Sequence, residues 1–330
     1  MRRAAPGISV STRFTAALVL GAVSMLAACS TESPDAPESS AVESSGLESS
    51  GLESSVLESP GLESLTPTVS GGTDIDYVAL GDSAASGPLI PRSTGTPGCL
   101  QSDSNYPHVL AGLVGAASFT DVSCSGARSE NIVTEQQQTN SGPIPLQLDA
   151  LSSDTDLVTV TIGGNDVDLV GQARGCVNFS PEPNGESCAD ASTAGGTDVL
   201  ADAIAAAAPG WGEVFEAIGE RAPNAQVVVV GYGTYVRPGG CYGTQAVWAR
   251  DADYLQASVD RMNDALAQQA TEHGARFVDV RPVSVGHDAC AAPAERYLEG
   301  VVPANPAAPL HPTAAGMAAF ARVVADSIGL

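Results

Sequence analysis

Five short, mostly apolar segments constrain the fold of this chain more than any other feature. They span residues 77–80, 118–123, 157–162, 226–232 and 276–280, and stretches with helical periodicity separate them. Four of the five are apolar enough to be buried on both faces, as strands of parallel sheets are. The alternation predicts an α/β domain with three layers, α/β/α, around a flavodoxin-like five-stranded parallel sheet of order 2-1-3-4-5.

Two helices of this domain can be placed from the sequence. A long helix is predicted from Val247 to His273, because apolar residues recur there at helical spacing and Gly274 suits the position after a helix end. A last helix is predicted to begin near Pro312. The side chains expected to face the core are Trp248, Leu255, Val259, Met262 and Leu266 in the first helix, and Met317, Phe320, Val323, Val324 and Ile328 in the second.

The N-terminus has the pattern of an export signal. Arg2 and Arg3 precede an apolar stretch over residues 14–28, which is too short to span a membrane and is typical of a signal peptide. The segment Leu26-Ala-Ala-Cys29 resembles the lipobox of bacterial lipoproteins, which implies cleavage before Cys29 and lipidation of its sulfur. The alternative is an ordinary signal peptide with an incidental cysteine. We therefore expect residues 1–28 to be a signal peptide and the protein to be extracytoplasmic, anchored to the membrane at Cys29 or secreted.

Residues 29–72 are predicted to form a disordered tether. From residue 30 onward this segment contains no lysine, arginine or aromatic residue, and it carries a five-residue Leu-Glu-Ser repeat. One leucine in five residues cannot form a core, so residues 73–330 are left as the folded domain. The whole chain has 14 Lys and Arg against 38 Asp and Glu, a net charge of −24 that argues against nucleic-acid binding.

Six cysteines remain besides Cys29, and an exported chain can oxidise them. The predicted strand order brings the loops after strands one and two together, and likewise the loops after strands four and five, while Cys176 and Cys188 share the loop after strand three. We therefore predict three disulfides at the carboxyl edge of the sheet. A metal site is the alternative, but no pair has Cys-x-x-Cys spacing, so none is expected. The predicted pairs are Cys99–Cys124, Cys176–Cys188 and Cys241–Cys290.

Polar residues and glycines follow the predicted strands where acyl-transfer chemistry could use them. Ser83 follows the first strand, Gly126 the second and Asn165 the third, and His311 precedes the last helix. A serine hydroxyl needs an imidazole to take its proton, and a developing oxyanion needs fixed N–H donors. Gly126 lets a backbone N–H approach a substrate closely, and Asn165 can offer its side-chain amide.

These blocks resemble those of SGNH (GDSL) hydrolases. The matching residues are Gly81-Asp82-Ser83, Gly126, Gly163-Gly-Asn165-Asp166 and His311. The resemblance implies Ser83 as nucleophile, His311 as base, and Ser83, Gly126 and Asn165 as the oxyanion hole. The three predicted disulfides are similar to those of the actinobacterial extracellular esterase and lipase branch. That branch implies a lipase or carboxylesterase acting on fatty acyl esters.

One residue departs from the family pattern. The family usually has aspartate three residues before the catalytic histidine, and here that position is Ala308. We expect the backbone carbonyl of Ala308 to orient His311, with the Asp288 carboxylate as a rival orienter. His287 is a rival base. Of the remaining histidines, His108 and His273 are expected to be structural.

The sequence therefore predicts a serine ester hydrolase that forms an acyl-enzyme and uses no cofactor or metal. We expect a monomer acting on an ester substrate, an acyl lipid. Asp82 and Asp166 are expected to hold turns by accepting hydrogen bonds rather than to act in catalysis. A carbohydrate acetyl esterase remains an alternative, and so does an inactive hydrolase scaffold that serves as a surface-binding lipoprotein.

Overall fold

A computed structural model of the chain describes residues 74–329. The predicted signal peptide, the tether and Cys29 lie outside the described residues, so the assignments made for residues 1–72 stay predictions.

The five predicted strands form one parallel sheet. Its strands are β1 (Asp76–Gly81), β2 (Ser118–Asp121), β3 (Leu157–Thr161), β4 (Gln226–Val230) and β5 (Arg276–Val278). Their order across the sheet is β2-β1-β3-β4-β5, with every neighbouring pair parallel. The predicted order 2-1-3-4-5 is therefore confirmed. Strands β2, β3, β4 and β5 end one or two residues earlier than predicted.

Helices cover both faces of this sheet. In the part of the chain that the structure describes, they are α1 (Ser83–Ser86), α2 (Tyr106–Val114), α3 (Ser129–Val133), α4 (Leu169–Gly175), α5 (Cys188–Ser192), α6 (Val199–Arg221), α7 (Ala249–Glu272), α8 (Arg281–Ser284) and α9 (Ala314–Ile328). Short 3-10 helices cover Gln147–Ala150, Ala194–Gly196 and Pro293–Glu295. Two small hairpins pair Ser93–Thr94 with Gln101–Ser102, and Gln137–Thr139 with Gly142–Ile144.

Two apolar cores lie on opposite faces of the sheet. Helices α6 and α7 pack together on one face, where Trp211, Phe215 and Met262 are buried. Helices α2 and α9 pack together on the other face, around Tyr106 and Phe320. None of the described helices is long and apolar enough to cross a bilayer. The three-layer α/β/α prediction is confirmed, and it leaves the carboxyl edge of the sheet free for loops.

The ends of the two predicted helices differ slightly from expectation. Helix α7 begins two residues after the predicted Val247 and ends with His273 as its C-cap. Helix α9 begins at Ala314 rather than at Pro312, because the hydroxyl of Thr313 accepts a hydrogen bond from the Gly316 N–H and caps the helix. A side-chain cap satisfies a free amide, so Thr313 fixes the start of this helix.

All three predicted disulfides are present. Cys99–Cys124 joins the loops after β1 and β2, Cys176–Cys188 closes the loop after α4, and Cys241–Cys290 joins the loops after β4 and β5. The bonded cysteines are between 12 and 49 residues apart in the sequence. Cross-links of this kind restrict the unfolded chain and here also hold the loops at the carboxyl edge of the sheet.

Candidate active site

Ser83 is the first residue of helix α1 and directly follows the turn that ends β1. Gly81 has φ 140°, and a Cβ there would stand 2.5 Å from the carbonyl oxygen of Thr161 in the neighbouring strand, so only glycine fits. The carboxylate of Asp82 accepts a hydrogen bond from the Ala84 N–H at 2.8 Å and caps helix α1. The tight turn therefore holds the Ser83 hydroxyl at the carboxyl edge of the sheet.

The imidazole of His311 meets this hydroxyl across 228 residues of sequence. Its Nε2 lies 2.7 Å from Ser83 Oγ, and its Nδ1 lies 2.8 Å from the carbonyl oxygen of Pro309. Because a carbonyl can only accept, the Nδ1 atom carries the proton and Nε2 is free to accept the serine proton. The predicted orienter, Ala308, is wrong: its carbonyl accepts the backbone N–H of His311 at 3.2 Å, and the carbonyl of Pro309 holds the ring.

The loop that carries His311 is anchored to the segment before it. Leu310 donates its N–H to the Gly300 carbonyl at 3.1 Å, and the His311 carbonyl accepts from the Glu299 N–H at 3.0 Å. Leu310 itself has φ 65°, a left-handed conformation that is uncommon for a leucine. The two flanking hydrogen bonds hold this unfavourable backbone in place and so direct the imidazole toward the serine.

Gly126 and Asn165 lie on two turns that are bonded to each other. The side-chain amide of Asn165 donates to the Ala127 carbonyl at 2.9 Å, and Ser125 Oγ lies 3.0 Å from Ser86 Oγ on helix α1. Gly126 has φ 85°, where glycine is favoured. The turn with Gly126 is therefore held between the nucleophile helix and the Asn165 turn. An amide has two hydrogens, so Asn165 keeps one donor for a ligand.

A buried tyrosine that the sequence analysis did not single out joins the serine turn to the Asn165 turn. Tyr232 Oη donates to the Asp82 carboxylate at 2.6 Å and accepts from the Gly164 N–H at 2.9 Å. The side chain of Asn263 on α7 holds the Tyr232 backbone through two hydrogen bonds of 2.8 Å. Burial raises the pKa of Asp82 to about 7, even though the hydrogen bonds from Tyr232 and from the Ala84 N–H act to lower it.

The rival orienter and rival base are engaged elsewhere. Asp288 is fully buried, with both carboxylate oxygens 3.1 Å from Nε of Arg237 and one of them accepting the Cys290 N–H. His287 has its Nδ1 2.7 Å from the Glu295 carbonyl oxygen. Neither side chain contacts the serine–histidine pair, so both alternatives are wrong.

Asp166 and the two other histidines have structural contacts. The Asp166 carboxylate accepts from the backbone and hydroxyl of Ser129, at 3.0 and 2.6 Å, and from the Trp211 indole at 2.9 Å. His108 lies 2.8 Å from the side chain of Asn105, and His273 caps α7. Within residues 74–329, no cluster of three or more His, Cys, Asp or Glu side chains is arranged to hold a metal ion.

An apolar pocket opens beside Ser83 and His311. It contains about 850 Å³ of space, including the part open to solvent. Helices α4 and α7 and the loops after β4 and β5 form its walls, together with the turns that carry Ser83 and Asn165. The apolar lining side chains are Leu169, Val170, Ala173, Val236, Val247, Ala252, Leu255, Val259, Ala289, Val301 and Leu310.

Comparison with known proteins identifies the family of this chain. The model of the GDSL-like lipase/acylhydrolase family matches residues 79–319. The chain belongs to the GDSL-like lipase/acylhydrolase family. It is therefore a carboxylic ester hydrolase, as the sequence motifs predicted.

Relatives of this GDSL-family chain cover nearly all of its folded domain. Lipase 2 of Streptomyces coelicolor is 37% identical over 78% of this chain and 86% of its own length. The crystal structure of the extracellular lipase of Streptomyces rimosus has a TM-score of 0.63 and 30% identity, over 76% of this chain and 99% of its own. Phospholipase A1 of Streptomyces albidoflavus also has a TM-score of 0.63, at 27% identity, over 77% and 99%.

Sequence reasoning missed Tyr232 and Pro309 in this GDSL hydrolase site. Tyr232 was predicted only as the last residue of a strand. A tyrosine at the end of an apolar strand, at the edge where polar residues collect, is a signal that its hydroxyl makes a hydrogen bond there. Pro309 carries no side-chain donor or acceptor, so no residue-type pattern could have identified it. Its contribution comes from a backbone carbonyl whose direction only the loop conformation decides.

The electrostatics of His311 lead to a pH prediction for this GDSL hydrolase. Burial lowers the pKa of His311, the hydrogen bond to the Pro309 carbonyl raises it, and the positive charge of Arg174 lowers it. Only the neutral imidazole can accept the serine proton. Replacing Arg174 with glutamine should therefore move the acidic limb of the kcat/KM profile to higher pH.

The control for this prediction is Arg174→Lys, which keeps the charge and should leave the limb where it is. High salt should reduce the difference between wild type and Arg174→Gln, because Arg174 is exposed and its field is screened. An equal shift in the lysine and glutamine variants would contradict an electrostatic cause.

Proposed function

We propose that this protein is an exported serine ester hydrolase that cleaves fatty acyl esters through an acyl-enzyme on Ser83. The observation that carries the proposal is the 2.7 Å contact between His311 Nε2 and Ser83 Oγ, with Nδ1 held by the Pro309 carbonyl. A serine whose proton can pass to a fixed neutral imidazole is an activated nucleophile.

The reaction has two half-steps. Ser83 Oγ attacks the ester carbonyl while its proton moves to His311 Nε2, and collapse of the tetrahedral intermediate passes that proton to the leaving alcohol. Water then gives a proton to the same nitrogen and attacks the acyl carbon. Collapse of this second intermediate releases the fatty acid and returns the proton to Ser83 Oγ.

The oxyanion hole of the proposal consists of the Ser83 and Gly126 N–H groups and the second amide hydrogen of Asn165. The backbone N–H groups of Ser83 and Gly126 donate to no protein acceptor within the described residues. Free donors that are fixed before the reaction stabilise a developing negative charge without reorganisation. The bonds from Asn165 to Ala127 and from Ser125 to Ser86 support this geometry.

A backbone carbonyl in place of a carboxylate does not favour the inactive scaffold. It fixes the same tautomer of His311, but it stabilises the imidazolium less than an aspartate would. Burial lowers the pKa of His311, and the hydrogen bond to the Pro309 carbonyl raises it without adding an anion. The neutral imidazole, which is the form that can accept the serine proton, is therefore favoured.

The apolar pocket supports a fatty acyl group rather than an acetyl group. A wall of aliphatic side chains on α4 and α7 offers an alkyl chain a place out of water beside the serine. Relatives named lipase and phospholipase A1 point to the same substrate class. The related lipase of Streptomyces rimosus is described as extracellular, which supports export of this protein. The N-terminal sequence predicts export as well.

Two measurements test this proposal. A fluorophosphonate probe should label the wild-type protein and should not label Ser83→Ala. A panel of p-nitrophenyl esters from acetate to palmitate should give higher kcat/KM for medium or long chains than for acetate. Replacing Ala173 with phenylalanine, which would fill space between α4 and α7, should remove that preference while sparing acetate. A preference for acetate in the wild type would favour the carbohydrate esterase instead.

A further inference from the structure

Large apolar side chains are exposed in an uneven pattern on this domain. Two of the exposed side chains, Leu113 and Val199, lie on helices α2 and α6, and the others lie in loops or in the short turns that follow strands. Three of the loop residues lie in segments that are bonded to the part of the chain that lines the pocket. Within the described residues, the exposed large apolar side chains are Leu89, Leu100, Leu113, Phe179, Val199, Tyr242, Val285 and Val302.

Three of these residues belong to loops that converge on the segment 245–248. Tyr242 forms a bridge with Gln245. The side chain of Gln245 bonds both the N–H and the carbonyl of Val302, at 2.9 and 3.0 Å. The Asn178 N–H, next to Phe179, donates to the Ala246 carbonyl at 2.7 Å. Phe179, Tyr242 and Val302 thus form a patch around one short segment, which we call the rim patch.

Phe179 is held outward rather than left loose. Its neighbour Asn178 is bonded to the segment as described, and its other neighbour, Ser180, accepts a hydrogen bond from the Trp248 indole at 2.9 Å. The Cys176–Cys188 disulfide closes the same loop. Phe179 is nevertheless 87% exposed. An aromatic side chain fixed in water between two anchored residues has apolar surface available for a partner.

The loops of the rim patch are joined to the wall of the apolar pocket through Val247 and Val301. Val301 and Val247 both line the pocket and pack together with the disulfide of the Phe179 loop. Val302 follows Val301 directly and is 46% exposed, and Tyr242 is 40% exposed. The chain therefore passes directly from the pocket wall at Val301 to the exposed side chain of Val302.

We propose that the rim patch docks this protein onto the surface of a lipid aggregate with neutral headgroups, beside the mouth of the pocket. This inference rests on the proposed hydrolysis of acyl esters, because an acyl chain leaving a lipid surface would then enter the pocket across Val302 and Val301. A patch of this kind enters the interface through its apolar side chains, and the aromatic members suit the headgroup boundary.

The charges around the patch favour a neutral surface. Arg250, behind the Phe179 loop, is paired with Glu182 and with Asp190. Arg237, near the Tyr242 loop, is paired with the buried Asp288. The chain as a whole has a net charge of −24. Arg174, in the last turn of α4 before this loop, is exposed and forms no ion pair among the described residues. One such cation on an acidic protein gives little attraction to anionic lipid, so phosphatidylcholine is the expected surface rather than phosphatidylglycerol.

The test places a reporter in the patch of the full-length protein. Phe179→Trp is combined with Ser83→Ala, so that no lipid is hydrolysed, and is mixed with vesicles of dibrominated phosphatidylcholine. After subtraction of the emission of the Ser83→Ala parent, which contains Trp211 and Trp248, the emission from position 179 should be quenched and shifted to shorter wavelength. Leu113→Trp in the same background is the matched control, since Leu113 is 50% exposed on helix α2 but lies outside the patch.

Equal quenching at both positions, or none at position 179, would overturn the docking proposal. Because Ser83→Ala is used throughout, this outcome is independent of whether the wild type hydrolyses esters. Both reporters are placed in the same chain, so lipidation of Cys29 would be common to the test and the control. Adding phosphatidylglycerol should not increase the quenching. A large increase would show that the protein prefers an anionic surface and would contradict the proposal of a neutral one.

A second measurement uses the loss of the patch. The triple variant Phe179→Ser, Tyr242→Ser, Val302→Ser should lower hydrolysis of vesicle phosphatidylcholine by about tenfold or more, from the lost apolar burial. Hydrolysis of dissolved p-nitrophenyl butyrate should stay unchanged, and Leu113→Ser should behave as wild type in both assays. An equal loss on both substrates would indicate damage to the active site and contradict the proposal.

Discussion

Replacing Ser83 with alanine is expected to lower kcat for p-nitrophenyl butyrate by about a millionfold, since the acyl-enzyme can no longer form. His311→Ala should lower kcat to a similar extent, because the 2.7 Å contact to Ser83 Oγ is the route for the proton. The double variant should be no slower than either single variant, as residues that act as a unit are not additive. Turnover of purified variants, with labelling by a fluorophosphonate probe, measures this effect.

His287 supplies the matched control for this prediction. It also lies in a loop at the carboxyl edge of the sheet, but its ring stacks on Tyr297 and its Nδ1 meets the Glu295 carbonyl. His287→Gln should therefore retain activity within severalfold of wild type. Full activity in His311→Ala, or an equal loss in His287→Gln, would show that His311 is not the base.

Replacing Asn165 with alanine or aspartate is expected to lower kcat by about a hundred- to a thousandfold, with a smaller change in KM. Both substitutions remove the amide donor, and aspartate keeps the shape while adding a charge that repels an oxyanion. The oxyanion develops only during reaction, so the loss should fall on kcat rather than on substrate binding. Steady-state kinetics with p-nitrophenyl butyrate separates the two parameters.

A structural explanation for such a loss can be tested separately. Asn165 also donates to the Ala127 carbonyl, so its removal loosens the turn that carries Gly126. Ser125→Ala loosens the same turn by removing the contact with Ser86 Oγ, yet it removes no donor from the proposed hole. Ser125→Ala should cost only severalfold in kcat. A loss as large as that of Asn165→Ala would assign the effect to turn rigidity instead.

The sheet could be predicted from the chain because its signal is local. The strands are runs of apolar residues, the helices between them are periodic, and the handedness of parallel crossovers leaves few topologies. The same topology placed the cysteines in neighbouring loops, so Cys99–Cys124 and Cys241–Cys290 followed from the strand order. The start of α9 was predicted two residues too early, near Pro312, because the hydroxyl of Thr313 caps the helix and the proline lies before it.

The orientation of His311 could not be predicted in this way. The departure at Ala308 was visible in the sequence, and a backbone carbonyl was the right kind of acceptor, but the residue was wrong by one. Which carbonyl faces Nδ1 depends on the left-handed backbone of Leu310 and on the hydrogen bonds that hold it. These are tertiary constraints, and no side-chain type records them.

The amino-acid sequence by itself determined the sheet, its strand order, the disulfide pairs and the identity of the groups that meet at its carboxyl edge. Residue type and spacing decide the sheet and the cysteine pairs, and the resemblance of the motifs to a known family identified the groups at that edge. Only the tertiary structure decided that Pro309 orients the base, that Tyr232 joins two turns, and that Phe179, Tyr242 and Val302 gather beside the pocket. Those features depend on the directions of carbonyls and hydroxyls, and on contacts between loops far apart in the chain.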